Sequence, residues 1–189
     1  MKNRLDSIDG VYLIDQVIFE DSRGYFLESY NNDGLKEAGI NDNFVQDNIS
    51  FSRSKFTLRG LHFQCPPQAQ GKLVRCLEGK IYDVVVDIRL NSPTYMKWAS
   101  FLLDSDSQKQ LYVPKGFAHG FLTLEDNTKV LYKCSSTYAP KFEYSINWND
   151  KDLSIVWPIN NEEPILSKKD SVSPMLSEII SPFIFGENS

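Results

Sequence analysis

The stretch KLVRCLEGKIYDVVVDIRL, residues 72–90, decides the fold class of this chain. It contains two runs rich in Val, Ile, Leu and Tyr with one glycine between them, a pattern typical of two β-strands. We predict that a tight hairpin turn at 78–80, Glu-Gly-Lys, joins the two strands. Similar runs, separated by turn residues, recur as GVYLIDQVIF, GYFLESY, KWASFLL, QLYVP, AHGFLTL, KVLYKCS and YSINWN. Helical pattern is scarce, with NNDGLKEAG as a short candidate, so the chain is predicted to be mainly β.

Polar residues inside these strands indicate a cavity. Successive side chains of a strand point to opposite faces, so Asp83 and Asp87 fall on one face together with apolar neighbours. Two such carboxylates are costly to bury unless they are paired or solvated. Lys72 and Tyr132 likewise share strand faces with apolar residues. A barrel whose interior mixes apolar walls with a few polar groups is expected to hold a ligand.

The segment LRGLHFQ, residues 58–64, places a histidine in a strand that otherwise reads as buried. Taken alone, His62 is as well explained by a core histidine bonded to backbone or water as by a functional base. Strict alternation puts Arg59 on the opposite face from His62. Both can face one cavity only if Gly60 marks a bulge or a sharp bend.

The second histidine, His119, lies in PKGFAH, a turn of the kind found in metal-binding cupin barrels. A metal site of that type needs at least three protein ligands, usually with an H-x-H pair on the first strand. That strand offers His62 alone, and the chain has only two histidines, so we predict no bound metal.

Other polar residues have ordinary explanations when each is taken alone. Tyr132 is more often a core residue than a catalyst. Lys72 and Arg75 would be solvated charges beside the hairpin. Asp170 lies three residues after Ser167 in LSKKD, which is the spacing of a helix cap.

Composition excludes several classes of protein. With 189 residues, 41% hydrophobic and 24% charged, the chain is predicted to be one globular domain over 1–189, with a short flexible tail from about 178. A net charge of −5 argues against nucleic acid as a partner. No apolar stretch resembles a signal peptide or could span a bilayer. Cys65, Cys76 and Cys134 are spaced as reduced thiols, which favours a cytoplasmic location.

Ten blocks in order carry a resemblance to the dTDP-4-dehydrorhamnose 3,5-epimerase family, over about residues 12–175. The blocks are DSRGYFLESY, FVQDNIS, LRGLHFQ, QGKLVRCLEGKIYDVVVDIR, SPTY, VPKGFAHGF, YKCSSTYAP, INWND, WP and LSKKD. The resemblance implies a cupin-type jelly-roll barrel that epimerises a nucleotide-linked 4-keto-6-deoxy sugar at C3 and C5, without metal or organic cofactor.

The resemblance also implies roles for individual residues. His62 matches the base that removes a proton beside the C4 ketone, and Asp170 matches the carboxylate that orients it. Tyr132 matches the acid that returns a proton from the far side, and Lys72 would stabilise the enolate oxygen. The expected substrate-binding set is Arg23, Glu28, Gln46, Asp47, Asn48, Arg59, Lys72, His119, Tyr138, Glu143 and Lys168. Family members form homodimers with strand exchange near the N-terminus.

Several alternatives stay open at this point. A relative acting at one carbon, or on a GDP- or CDP-linked sugar, would share the barrel and the base. A 4-keto to 3-keto isomerase would not need the far-side acid. A metal-dependent cupin oxygenase and a non-catalytic sugar-binding cupin represent other classes. Departures from the family pattern are Phe63 for a common tyrosine, Met96 for a glycine, and a longer loop between Gln46 and Arg59.

Overall fold

The computed structural model of this chain describes residues 2–4 and 8–186, which form a mainly β structure. The strands are β1 (Lys2–Arg4), β2 (Tyr12–Ile14), β3 (Ile18–Asp21), β4 (Gly24–Leu27), β5 (Gln46–Ser52), β6 (Leu58–Gln64), β7 (Lys72–Glu78), β8 (Lys80–Asp87), β9 (Trp98–Asp104), β10 (Gln110–Val113), β11 (Phe117–Thr123), β12 (Thr128–Cys134) and β13 (Glu143–Ser145). Helical structure in these residues is limited to α1 (Asn32–Glu37) and the 3₁₀ turns Pro140–Phe142, Asp170–Val172 and Leu176–Glu178. The predicted fold class is confirmed.

Two antiparallel sheets pack face to face in a cupin-like jelly roll. The six-stranded sheet has the order β1-β2-β10-β7-β12-β5, and the five-stranded sheet has the order β13-β6-β11-β8-β9. Strands β3 and β4 pair only with each other in the described residues. We call residues 18–27 the β3–β4 arm.

The predicted hairpin at 78–80 is wrong, because β7 and β8 belong to different sheets. Strand β7 pairs with β10 and β12, whereas β8 pairs with β9 and β11. Gly79 turns the chain from one sheet to the other with a φ of 77°, and a Cβ there would lie 2.5 Å from the Thr128 hydroxyl. Arg75, expected to be a solvated hairpin charge, is consequently buried on the outer face of the six-stranded sheet, with 7% exposure.

The bulge suspected at Gly60 is present. Along the β6–β11 pair, His119 lies opposite His62 but Phe121 lies opposite Arg59, so β6 contains one extra residue. Gly60 has a φ of 127°, and a Cβ there would lie 2.5 Å from the Gly120 Cα atom. The extra residue rotates the strand, so Arg59 and His62 face the same interior space.

The two larger of the three hydrophobic clusters in the described residues lie on opposite sides of the five-stranded sheet. Val74, Val85 and Val130 belong to the cluster between the sheets, and the outer face of the sheet is covered by the C-terminal segment. Phe183 is 1% exposed in that covering layer, and the Leu90 amide donates to its carbonyl at 2.8 Å. Residues 181–185 of the predicted tail therefore contact the barrel, while 187–189 lie outside the described residues.

Helix α1 begins where the sequence suggested a helix. The Asn31 side chain accepts hydrogen bonds from the amides of Asp33 and Gly34, at 3.0 and 3.1 Å. An asparagine in this position satisfies amides that the first turn leaves unpaired. Leu35 is buried and packs against Tyr112 and Leu73 on the outer face of the six-stranded sheet.

Candidate active site

A cavity lies between the two sheets and has two adjoining lobes of about 320 Å³ each. Strands β6 and β11 supply one wall, and β7 and β12 supply the other. The first lobe brings together eight of the predicted residues: Arg59, His62, Lys72, His119, Tyr132, Tyr138, Glu143 and Asp170. Gln46 and Asn48 line the second lobe. These ten residues come from segments far apart in the chain, and the barrel is what gathers them.

His62 and Asp170 form a hydrogen-bonded pair at the edge of the first lobe. The His62 Nε2 atom lies 2.6 Å from the Asp170 Oδ1 atom, and the Ser167 hydroxyl donates to Asp170 Oδ2 at 2.8 Å. Burial opposes ionisation of Asp170, but the hydrogen bonds from His62 and Ser167 hold its pKa below the usual value. The imidazole therefore faces an ionised carboxylate, which fixes the proton on Nε2 and leaves Nδ1 as the basic nitrogen.

His119 and Asp83 form a second pair, deeper in the interior. The His119 Nε2 atom lies 2.9 Å from both carboxylate oxygens of Asp83. Both side chains are buried, with exposures of 7% and 0%. Burial raises the pKa of Asp83 and lowers the pKa of His119, although their mutual attraction opposes both shifts. Asp83 is thus one of the two strand carboxylates that were expected to be paired if buried, and His119 is its partner.

Lys72 projects from the opposite wall into both lobes. Its Nζ atom donates to the His62 carbonyl at 3.4 Å, so the ammonium and the imidazole border the same space. Burial lowers the pKa of Lys72, while Cys134 and Asp83 oppose that shift. A buried ammonium with few fixed partners can stabilise a developing oxyanion more strongly than a solvated one.

Tyr132 stands on β12, across the cavity from His62 on β6. Burial raises the pKa of Tyr132, and Arg59 partly opposes this shift. The phenol is therefore protonated over the neutral pH range and can donate a proton into the cavity. A base on one wall and a proton donor on the other is the arrangement that inversion of a carbon requires.

Arg59 reaches the first lobe because of the bulge at Gly60. Its Nε atom donates to the Ser52 hydroxyl at 3.2 Å, and its Nη2 atom donates to the Phe51 carbonyl at 3.1 Å. These bonds hold the planar group at the lobe, where it could make paired hydrogen bonds to a phosphate.

A chain of three side chains borders the cavity, with Tyr138 and Glu143 lining both lobes and Lys169 lining the first. The Tyr138 hydroxyl donates to Glu143 Oε2 at 2.7 Å, and the Lys169 ammonium lies 2.5 Å from the same oxygen. Burial opposes ionisation of Glu143, but the hydrogen bonds from Lys169 and Tyr138 keep its pKa below the usual value. The backbone amide of Tyr138 donates to Gln46 at 2.9 Å. The Tyr138 ring is 54% exposed, which leaves a face available for stacking on a planar ligand.

Four predicted binding residues do not reach the cavity within this chain. Lys168 is exposed, and its neighbour Lys169 lines the lobe instead. Asp47 points outward, because strand alternation separates it from Gln46 and Asn48, and it pairs with Lys133 at 2.8 Å. Arg23 is at the tip of the β3–β4 arm, paired with Asp21 and 88% exposed. Glu28 accepts from Asn31 at 2.9 Å, beside the arm.

Sequence reasoning missed Ser50, Phe121, Ser167 and Lys169 as lining residues of the first lobe. Ser50 follows the same alternation as Gln46 and Asn48, so strand parity could have found it. Ser167 was noted only as a cap, and it does accept from the Asp170 amide at 3.0 Å. In the described part of the chain, no group of three or more His, Cys, Asp or Glu side chains is arranged to hold a metal ion. No helix of that part is long and apolar enough to cross a membrane.

Comparisons with known proteins point to one family. The family model described as dTDP-4-dehydrorhamnose 3,5-epimerase matches residues 6–178. The enzyme of that name from Salmonella typhimurium is 46% identical over 175 residues, covering 92% of this chain and 94% of the relative. The Legionella pneumophila epimerase, solved with dTDP-4-keto-L-rhamnose, matches with a TM-score of 0.92 at 41% identity, covering 100% of this chain and 99% of that chain. A 3'-monoepimerase from Streptomyces bikiniensis, solved with dTDP-quinovose, matches with a TM-score of 0.84 at 36% identity, covering 90% and 86%.

Proposed function

The chain belongs to the dTDP-4-dehydrorhamnose 3,5-epimerase family, and we propose that it converts dTDP-4-dehydro-6-deoxy-D-glucose to dTDP-4-dehydro-L-rhamnose by inverting C3 and C5. The observation that carries this proposal is the placement of a histidine–carboxylate pair and a partly buried phenol on opposite walls of one cavity. The enzyme is an isomerase, and its chemistry consists of proton transfer alone.

The proposed reaction begins at His62. Carbons 3 and 5 flank the C4 ketone, so removing a proton from either gives an enolate that the carbonyl delocalises. The Nδ1 atom of His62 accepts that proton, while Asp170 holds the ring in place through Nε2 and stabilises the imidazolium. The Lys72 ammonium compensates the charge that develops on the C4 oxygen.

The second half of each inversion uses Tyr132. Its hydroxyl donates a proton to the opposite face of the same carbon, and the enolate collapses back to the ketone. The imidazolium and the phenolate then return to their starting states by exchanging protons with water. Two such rounds, one at each carbon, complete the conversion. The ketone itself provides the electron sink, so the proposed mechanism uses no metal or organic cofactor.

Binding is proposed to divide between the two lobes. Arg59, His119 and Lys169 would hold the sugar and the diphosphate in the first lobe. Gln46 and Asn48 would contact the nucleotide in the second lobe, with Tyr138 stacking on the base. The amide groups and the exposed aromatic ring support this division.

We also propose a homodimer with strand exchange near the N-terminus. The β3–β4 arm exposes Phe19 by 61% and Phe26 by 69%, which is a large apolar surface for a two-stranded hairpin. In a dimer, Arg23 and Glu28 would reach the partner's cavity, which explains why they stand apart from His62 in one chain. A single domain in a cytoplasmic location completes the proposal, and the described cysteines, all unpaired, fit a reducing compartment.

The test is incubation with dTDP-4-keto-6-deoxy-glucose in heavy water, followed by mass spectrometry and NMR. We expect one deuterium at C3 and one at C5, with inversion at both carbons, because each carbon passes through an enolate that is reprotonated from solvent.

Each other result has a defined meaning. Deuterium and inversion at only one carbon would show that the protein is a monoepimerase and not a 3,5-epimerase. The Streptomyces bikiniensis relative is a monoepimerase of this kind. Absence of label would contradict the proposed substrate, and GDP- and CDP-linked 4-keto sugars would then be compared under the same conditions.

A further inference from the structure

The β3–β4 arm is joined to the barrel by polar side chains to which the proposed reaction gives no role. The Gln108 Nε2 atom donates to the Tyr25 hydroxyl of the arm at 3.0 Å. The Gln108 Oε1 atom accepts a hydrogen bond from the Arg75 guanidinium on β7. Gln108 is 6% exposed and Arg75 is 7% exposed, so the hydrogen bond between these two side chains lies in a part of the molecule from which water is excluded.

The orientation of the Gln108 amide is set by Arg75. A buried guanidinium needs hydrogen-bond acceptors, and in the described residues the Arg75 Nε atom has none. The Gln108 carbonyl oxygen must therefore face Arg75, which directs the amide NH₂ group toward Tyr25 and the Ser105 carbonyl. Gln108 also has a φ of 54°, uncommon for a residue other than glycine, and such a backbone persists when surrounding contacts fix it.

A second hydrogen bond anchors the chain just after the β3–β4 arm. The Gln110 Nε2 atom donates to the Ser29 carbonyl at 2.7 Å, next to Glu28. Tyr25 itself is 59% exposed, so its ring receives little fixation from packing. The hydroxyl bond to Gln108 therefore contributes a large part of what defines the position of the arm tip, where Arg23 lies two residues from Tyr25.

We propose that Gln108 is a positioning residue, which acts through Tyr25 to hold the β3–β4 arm so that Arg23 presents its guanidinium to the substrate diphosphate. This inference rests on the proposed homodimer, in which Arg23 reaches the partner's cavity, and on the proposed role of Arg23 in binding the nucleotide sugar. Within one chain, Gln108 and Tyr25 line neither lobe of the cavity, so we expect them to affect binding and to leave the proton transfers unchanged.

The decisive variant is Tyr25→Phe, which removes one hydroxyl group and preserves the ring. We expect KM for the dTDP-sugar and the Kd for dTDP to rise together by about 3- to 10-fold, the effect of losing one side-chain hydrogen bond, with kcat unchanged. Steady-state kinetics and calorimetry with dTDP measure the two quantities. Tyr95→Phe, a matched change outside the arm and the cavity, should leave both at the wild-type value. Gln108→Leu should act in the same direction and also lower Tm, because Arg75 loses its acceptor.

A double-mutant cycle with Arg23→Ala separates positioning from a local structural effect. If Tyr25 acts through Arg23, Tyr25→Phe should raise KM and Kd no further in the Arg23→Ala background. Additive effects of the two changes would overturn the proposal, as would a wild-type KM and Kd in Tyr25→Phe.

Failure of the underlying function gives a different pattern. An unchanged Kd for dTDP in Arg23→Ala would show that Arg23 does not contact the diphosphate. Gln108 would then have no positioning role. The calorimetric measurement uses dTDP alone, so it decides the point even if the wild-type protein does not epimerise the expected sugar.

Discussion

The two histidine–aspartate pairs of this protein are built from the same groups, yet their surroundings differ. His62 and His119 lie directly opposite each other on β6 and β11. The His62 side chain is 28% exposed and meets Asp170 from the C-terminal segment. The His119 side chain is 7% exposed and meets Asp83, which lies on the neighbouring strand β8.

In the proposed mechanism, this difference separates a reactive group from a supporting one within the same barrel. A general base needs an open face, a carboxylate that stays ionised and a route for protons to solvent. The His62–Asp170 pair meets these needs, because the pKa of Asp170 is lowered and the imidazole borders the cavity. Burial opposes charge on both members of the His119–Asp83 pair, so this pair is suited to holding a hydrogen-bonding group at a fixed position.

The largest expected effect comes from exchanging each histidine for asparagine. His62→Asn should reduce kcat by roughly 10²- to 10⁴-fold, the usual contribution of a general base, and should leave the Kd for dTDP near the wild-type value. His119→Asn should mainly raise KM, because its proposed role is to hold the substrate without taking a proton. Deuterium uptake at C3 and C5 measures the first loss directly.

The two variants control for each other, because the same substitution is made at facing positions. Deuterium uptake at the wild-type rate in His62→Asn would remove His62 from the mechanism. An equal kcat loss in both variants would show that the two pairs do not differ in function.

A smaller effect is expected at Tyr132, on the wall that faces both histidines. Tyr132→Phe should slow inversion by about 10²-fold, the lower end of what a proton donor contributes, while His62 still exchanges substrate protons with solvent. The substrate should then acquire deuterium with retained configuration, which NMR distinguishes from inversion. Wild-type inversion in this variant would assign the acid to another group.

The smallest effects are expected at the two carboxylates. Asp170→Asn should lower kcat by roughly 10- to 100-fold, the range for removing a group that orients a histidine, because the amide no longer stabilises the imidazolium. Asp83→Asn should change kcat less and should instead reduce the free energy of unfolding by about 1–3 kcal/mol, the cost of disturbing a buried hydrogen bond. Kinetics and chemical denaturation distinguish the two outcomes.

The dependence of stability on pH sharpens this last contrast. The pKa of folded Asp170 lies below the ordinary aspartate value of 3.8, so its stabilising effect is present above that pH and is lost as the pH falls through the lowered pKa. Asp170→Asn should remove this contribution to acid unfolding. An unchanged acid-unfolding profile in Asp170→Asn would contradict the stabilising role of the ionised pair.

Much of the architecture follows from local sequence. Runs rich in β-branched and aromatic residues predicted most of the strands, though not β1 and β5, and the segment NNDGLKEAG indicated helix α1. The prediction of a hairpin at 78–80 was wrong because a single glycine between two strands does not indicate whether they pair with each other or with distant strands. Gly79 permits the turn in either case, and the partners β10 and β12 decided between them.

The candidate site was predictable residue by residue but not as an arrangement. The resemblance named His62, Lys72, Tyr132 and Asp170, and the structure brings them to one cavity. It also places Lys169 at the lobe where Lys168 was expected, because only the backbone path through the Asp170–Val172 turn determines which of two adjacent lysines points inward. For Asp47, by contrast, the alternation of side chains along β5 is enough to predict that it points away from the cavity.

The sequence by itself determined most of the strands and the family, and it named the candidate reacting groups and Gly60 as a candidate bulge, because each depends on residue type and short-range spacing. The tertiary structure decided which histidine is open and which is buried, and that Gln108 ties Tyr25 of the arm to Arg75. These outcomes depend on burial and on contacts between segments as much as 108 residues apart, as for His62 and Asp170. No local pattern encodes such distances, because hydrogen bonds and desolvation act through space and not along the chain.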